Sequence, residues 1–135
     1  QILSALNYKI GKIISMEQEY NTKSCLVYIP SPGTIYSPDR INYKQNNPKL
    51  NRLNGVITGQ ENLKKSLFVR ESLKSVLSQH NINFLDSTNE LTNIAKNKYI
   101  HGLKDHTHFN SLGYVTLGKY IAKNINRCFP ELAEN

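Results

Sequence analysis

Ser24 to Ile29 reads SCLVYI, and Pro30, Pro32 and Gly33 close the run off. It is apolar without strict alternation and rich in β-branched and aromatic residues. That is the pattern of a strand buried on both faces in a parallel sheet. Ile82 to Leu85 (INFL) is a second run of the same kind. Parallel neighbours need a long crossover, and the sequence supplies one: Gln60 to Gln79 places Leu63, Leu67, Val69, Leu73, Val76 and Leu77 largely on one helical face. Upstream, Ile2 to Tyr20 carries Leu3, Leu6, Ile10, Ile13 and Ile14 at helical spacing. Gly11 weakens that helix. Asn21-Thr22 ends the first helix and His80-Asn81 the second. Downstream, the pattern predicts a short helix over Glu90 to Lys96 and a final one from Ser111 to about Asn126, with Leu117, Ile121 and Ile125 as its stripe. Gly113 and Gly118 would let that helix approach the sheet. This order gives an α/β class with a parallel sheet. Two strands are too few for a complete doubly wound sheet and leave an exposed edge.

A chain of 135 residues is one small domain or part of one. No apolar run is long enough to span a bilayer. The start, QILSALNYKIGK, has no basic leader and no Met, so it reads as trimmed. The compartment is therefore open, and extracytoplasmic if a missing N-terminal part carries a signal or anchor. The net charge of +7 is spread along the chain, densest at Lys64-Lys65. Without a basic stripe or interleaved aromatics this reads as a solvated surface, and no nucleic-acid partner is expected. Cys25 opens the first strand and reads as a small core residue. Whether it bridges to Cys128 is left open by the sequence.

Residues 37–59 are polar and punctuated by Pro38, Asn46-Asn47-Pro48 and Asn54-Gly55, and read as a long loop. Tyr36, Arg40 and Tyr43 either line a pocket there or pack the loop down. Ser31, at a strand end, is in the place of a nucleophile. The sequence reads it as a turn serine, because no strand–turn–helix elbow is expected after it. Asp86, at the second strand's end, reads as a helix cap.

The polar cluster Asp105-His106-Thr107-His108, followed by Asn110 and Ser111, precedes the last helix. An Asp and a His three residues apart can share a hydrogen bond that holds one imidazole nitrogen and frees the other as a base. A cap from Asp105, Asn110 or Ser111, with the histidines on the surface, fits the same spacing. So does zinc held by His101, His106 and His108 with Asp105. The pairing of Asp105 with His108 accounts for the cluster without metal, so neither metal nor cofactor is expected.

DHTHFNSLGY resembles the last block of the SGNH/GDSL-type hydrolases: Asp, two residues, His, a polar pair, then Gly-Tyr opening the final helix. LVYIP (26–30), Ile35-Tyr36 and INFLDS (82–87) are similar to that family's central strand, the loop after it and the next strand. The resemblance runs from about Cys25 to about Ile125. It implies a flavodoxin-like, three-layer α/β/α fold with a parallel sheet, and it makes residues 1–135 the C-terminal portion of such a domain. It implies Asp105 and His108 as the acid and base of a Ser-His-Asp triad, acting on a small-molecule or carbohydrate ester, or transferring an acyl group to a sugar. The family's Gly-Asp-Ser and oxyanion-hole blocks do not occur here. The missing N-terminal part is then the partner that supplies the serine, and this chain alone is chemically incomplete. A degenerate, non-catalytic interaction domain is the rival reading.

Overall fold

The computed structural model describes residues 2–36, 59–102, 105 and 107–133. Helix α1 (Ile2–Tyr20) leads into strand β1 (Cys25–Tyr28) and a one-turn helix α2 (Pro32–Ile35). Helix α3 (Gly59–Gln79), strand β2 (Asn83–Asp86), helix α4 (Thr88–Ala95) and helix α5 (Ser111–Asn124) follow. Two 3-10 turns, Ile125–Arg127 and Pro130–Ala133, end the described chain. The expected loop over 37–59 lies outside the described residues except for Gly59, which opens α3.

Both strands are entered in the same way. Asn21 and Asn81 have φ of 47° and 56°, in the left-handed region that stops a helix. The amide of Thr22 bonds back to the Glu17 carbonyl, and that of Ile82 to the Leu77 carbonyl, each at 3.0 Å. These are Schellman ends, in which a left-handed Asn turns the chain and the next amide satisfies an orphan carbonyl. Ile82 then packs on the helix it has just left, in one cluster with Leu77.

The strands pair in parallel, as expected, with Leu26 opposite Phe84 and Val27 opposite Leu85. Successive strand residues point to opposite faces. Leu26 and Phe84 join Ile10, Ile13 and Ile14 of α1 and Leu73, Val76 and Leu77 of α3. Val27 joins the other cluster, with Ile35, Tyr36, Leu91, Ala95, Ile100, Leu112 and Leu117. The chain is thus mixed α/β, predominantly helical, with apolar packing on alternate residues of β1. Among the described residues no helix is long and apolar enough to cross a membrane.

Some expectations shift. Leu3 and Leu67, placed on the apolar faces of their helices, are 47% and 39% exposed, because α1 and α3 meet through Ile10 and the C-terminal half of α3. Gly118 faces open space rather than the sheet. Cys25 is no free core thiol: it is bridged to Cys128, with Cα atoms 5.6 Å apart. The Asn83 amide donates to the Cys128 carbonyl at 2.8 Å, tying the C-terminal turns to the sheet a second time. A link closing 103 residues removes much of the unfolded chain's freedom. The double variant Cys25→Ala/Cys128→Ala should therefore lose about 3–5 kcal/mol in urea unfolding, and intact protein should show no reactive thiol without denaturant and reductant. A thiol titrating in the native protein would contradict the bridge.

Candidate functional site

The site hangs from a short stem. His101 and Phe109 form an antiparallel bridge, flanked by Asn110 N to Ile100 O at 3.0 Å and Gly102 N to His108 O at 3.2 Å. Asn110 locks it. Its Nδ2 donates to the carbonyls of Tyr99 and His101, at 2.8 and 3.2 Å. Its Oδ1 accepts the Gly113 amide at 3.0 Å, which makes it the N-cap of α5. Of the three caps the sequence allowed, Asn110 holds the helix and Asp105 serves the loop instead.

Gly113 is required here by close approach. A Cβ at this position would lie 2.3 Å from the Ile100 carbonyl and 2.8 Å from the Phe109 side chain. The close neighbour is the stem, not the sheet. Gly113→Ala should cost about 1–3 kcal/mol in chemical denaturation, although Ala is otherwise the better helix former. A neutral or stabilising result would show that α5 stands further from the stem.

At the tip, Asp105 organises a turn. Its Oδ1 accepts from the Thr107 amide (3.1 Å), the Thr107 hydroxyl (2.7 Å) and the His108 amide (3.3 Å). Its Oδ2 lies 2.5 Å from His108 Nδ1. A carboxylate accepts only, so Nδ1 carries the proton and the Nε2 lone pair is left for chemistry. The Thr107 hydroxyl, 3.2 Å from Nδ1, is already committed to Asp105. The side chains of His108 and Asp105 are 71% and 56% exposed.

These bonds hold the Asp105 carboxyl well below the ordinary carboxylate range. The Thr107 hydroxyl is the largest cause, the His108 imidazole the next. The sign follows: a carboxylate with a lowered folded pKa stabilises fully above its ordinary value and loses that only as pH falls through the lower one. The Asp105 carboxyl carbon should therefore still read as ionised at about pH 3, below the usual ~3.9. Titration with a midpoint near the usual value would mean that the turn does not persist in solution.

The other candidates fall elsewhere. Ser31 does stand at the N-cap position of a helix, α2. That helix was not expected, because Pro32 was read as a break, whereas its fixed φ suits a first helical position. The Ser31 hydroxyl bonds Thr34 Oγ1 at 3.0 Å, and Thr34 bonds Ser66, itself 3.3 Å from the Tyr28 hydroxyl. It belongs to a chain of hydroxyls. Asp86 does hold the first turn of α4, through Thr88 N at 3.0 Å, and its other oxygen lies 3.4 Å from Arg70 Nε. His101 is 6% exposed, packed between the rings of Tyr36 and Phe109. Burial and the Tyr36 hydroxyl separate it in role from His108. His106, Arg40 and Tyr43 lie outside the described residues. Among the described residues no three His, Cys, Asp or Glu side chains gather as a metal site would require.

Sequence reasoning missed the part played by Tyr36. Its ring is buried, and its oxygen takes the amides of Ile100 and His101 at 2.9 and 3.2 Å. Burial pushes its pKa up, so the phenol keeps its proton. No pattern signals a bond spanning 64 residues.

A scan of protein-family models and searches of curated proteins and of solved structures find nothing that matches this chain.

Proposed function

We propose that this chain is the C-terminal part of an SGNH-like serine esterase or acyl hydrolase, with Asp105 and His108 as its acid–base pair. The observation that carries the reading is the hydrogen bond from His108 Nδ1 to Asp105 Oδ2. It orients the ring and leaves Nε2 as the nitrogen not bonded to Asp105, on a largely exposed side chain. The two apolar clusters, taking alternate residues of β1, support the flavodoxin-like, three-layer α/β/α fold that goes with it. The bridge between Cys25 and Cys128 supports work in an oxidising compartment.

His108 Nε2 takes the proton of a serine hydroxyl supplied from outside these residues as the serine oxygen attacks an ester carbonyl. Asp105 stabilises the imidazolium that forms. The imidazolium then protonates the leaving alcohol, and a water activated by the same nitrogen releases the acid. The substrate class is a small-molecule or carbohydrate ester, with acyl transfer to a sugar as the variant in which an alcohol replaces that water. The pair's exposure fits a site whose cover and nucleophile come from elsewhere, since such chemistry needs water excluded.

One observation favours a second, non-catalytic reading as an interaction domain. Asp105 Oδ1 already makes the three bonds of a turn, which is a structural task in itself. Asp105→Asn separates the two, because the amide oxygen can keep the turn while the charge is lost. In the full-length parent, His108→Ala should lower ester hydrolysis roughly a thousandfold or more, and Asp105→Asn should lower it without unfolding the protein. Wild-type turnover by His108→Ala on every ester the parent cleaves would end the esterase reading.

A further inference from the structure

We infer that Tyr36 is a positioning residue that sets where the Asp105–His108 pair stands relative to the end of β1, an inference that rests on the esterase reading of the pair. Two amides of the stem, those of Ile100 and His101, bond a side chain from outside it. The ladder between the two arms uses the carbonyls of Ile100 and His108 and the amides of Gly102 and Asn110. Asn110 takes the carbonyls of Tyr99 and His101. The amides of Ile100 and His101 take no part in these bonds. Ile100 is fully buried and His101 nearly so, so water does not serve them, and an unmet buried amide is costly. Both bond the Tyr36 oxygen.

The proton count then fixes the fourth group. Amides only donate, so the phenol's own hydrogen is free for an acceptor. His101 Nδ1 lies 2.9 Å away. Tyr36 donates to it, which places the imidazole proton on Nε2. The His101 ring meets Tyr36 edge-on, with centroids 5.3 Å apart, and lies 4.7 Å from the Phe109 ring. Phe109 is the neighbour of His108, and Gly102 N bonds the His108 carbonyl. One hydroxyl thus fixes two backbone amides, one tautomer and the ring that backs the residue next to His108. Tyr36 itself is reached from β1 through the single turn of α2, where its amide bonds the Pro32 carbonyl at 3.0 Å. The strand end and the acid–base loop are joined through this oxygen. Packing alone would accept Phe at position 36; the bonds ask for Tyr.

The test uses the 135-residue chain, labelled with ¹⁵N and ¹³C, comparing wild type with Tyr36→Phe and with Ile35→Val. The last trims the same core cluster without touching the bonds. In Tyr36→Phe the amides of Ile100 and His101 should exchange at least tenfold faster. The His108 imidazole ¹⁵N shifts should move toward a mixture of tautomers, and the Asp105 titration midpoint should climb toward the ordinary carboxylate value. Ile35→Val should leave the His108 and Asp105 signals at wild-type values. Should Tyr36→Phe fail to fold, 3-fluorotyrosine at position 36 keeps the ring and weakens its oxygen as an acceptor; it should move the same signals by a smaller amount. Unchanged His108 and Asp105 signals in Tyr36→Phe, or in the 3-fluorotyrosine protein where that one is used, would overturn the positioning role and leave Tyr36 as core packing. In the parent enzyme, Tyr36→Phe should lower kcat tenfold or more with KM within twofold, and equal loss in both would overturn it too. A wild-type parent with no hydrolase activity would instead sink the esterase reading, with the clamp still visible by NMR.

Discussion

Two parallel strands of four residues each cannot be joined by a tight turn and cannot stand alone. Everything else in the chain answers that constraint. Each strand must be delivered by a helix running the other way, and each delivery here uses an Asn in the left-handed conformation followed by an amide that closes on the helix. The delivering helices α1 and α3 then cover one set of strand residues, while α2, α4 and α5 supply the packing for the other. Ser87 extends the pairing past the strands, donating both its amide and its hydroxyl to the Tyr28 carbonyl.

The same constraint places the site. Chain leaving the two strand ends runs into α2 and α4, and α4 and Tyr36 together make the floor on which Ile100 and Leu117 rest. The loop carrying Asp105 and His108 is therefore not free-standing. Its stem is held by Tyr36, Gly113 and Asn110, and among the described residues Asp105, Thr107 and His108 at its tip are exposed. Under the proposed esterase reading, a loop held by such a stem suits a pair that must meet a reacting group from another segment.

Much of this was legible because it is local. Apolar period, Asn at the helix ends and the short β-rich runs lie within a few residues of what they determine, so both strands, their parallel sense and the main helices follow from the sequence. The Asp105–His108 pairing was legible for the same reason, being three residues apart. What escaped is either long-range or ambiguous in sign. Cys25 meets Cys128 across 103 residues, and Tyr36 meets Ile100 across 64; periodicity carries no information at such distances. Pro32 is the ambiguous case. A proline ends a strand and begins a helix with equal ease, and the helical choice is made by the Ser31 carbonyl, which accepts from both Thr34 and Ile35. Leu3 and Leu67 stay exposed because a helical face defines a direction, not how far along the helix its neighbour extends.

The relative weight of the bonds to Asp105 bears on what the pair offers. Its ionised form is favoured most by the Thr107 hydroxyl and next by the His108 imidazole. The carboxylate is thus held ionised by its own turn as well as by the imidazole it orients. In a pair that depended on mutual charge alone, water at so exposed a tip would screen most of the interaction. Here the oxygen facing His108 is aimed by the bonds on the other oxygen, and the anion persists whether the ring is neutral or protonated. Under the proposed esterase reading, that is what a base asks of its partner: a fixed acceptor for Nδ1–H before the reaction and an unmoved negative charge once Nε2 has taken a proton. The turn threonine, which a triad description would omit, is what makes an Asp in water behave as an Asp held in place.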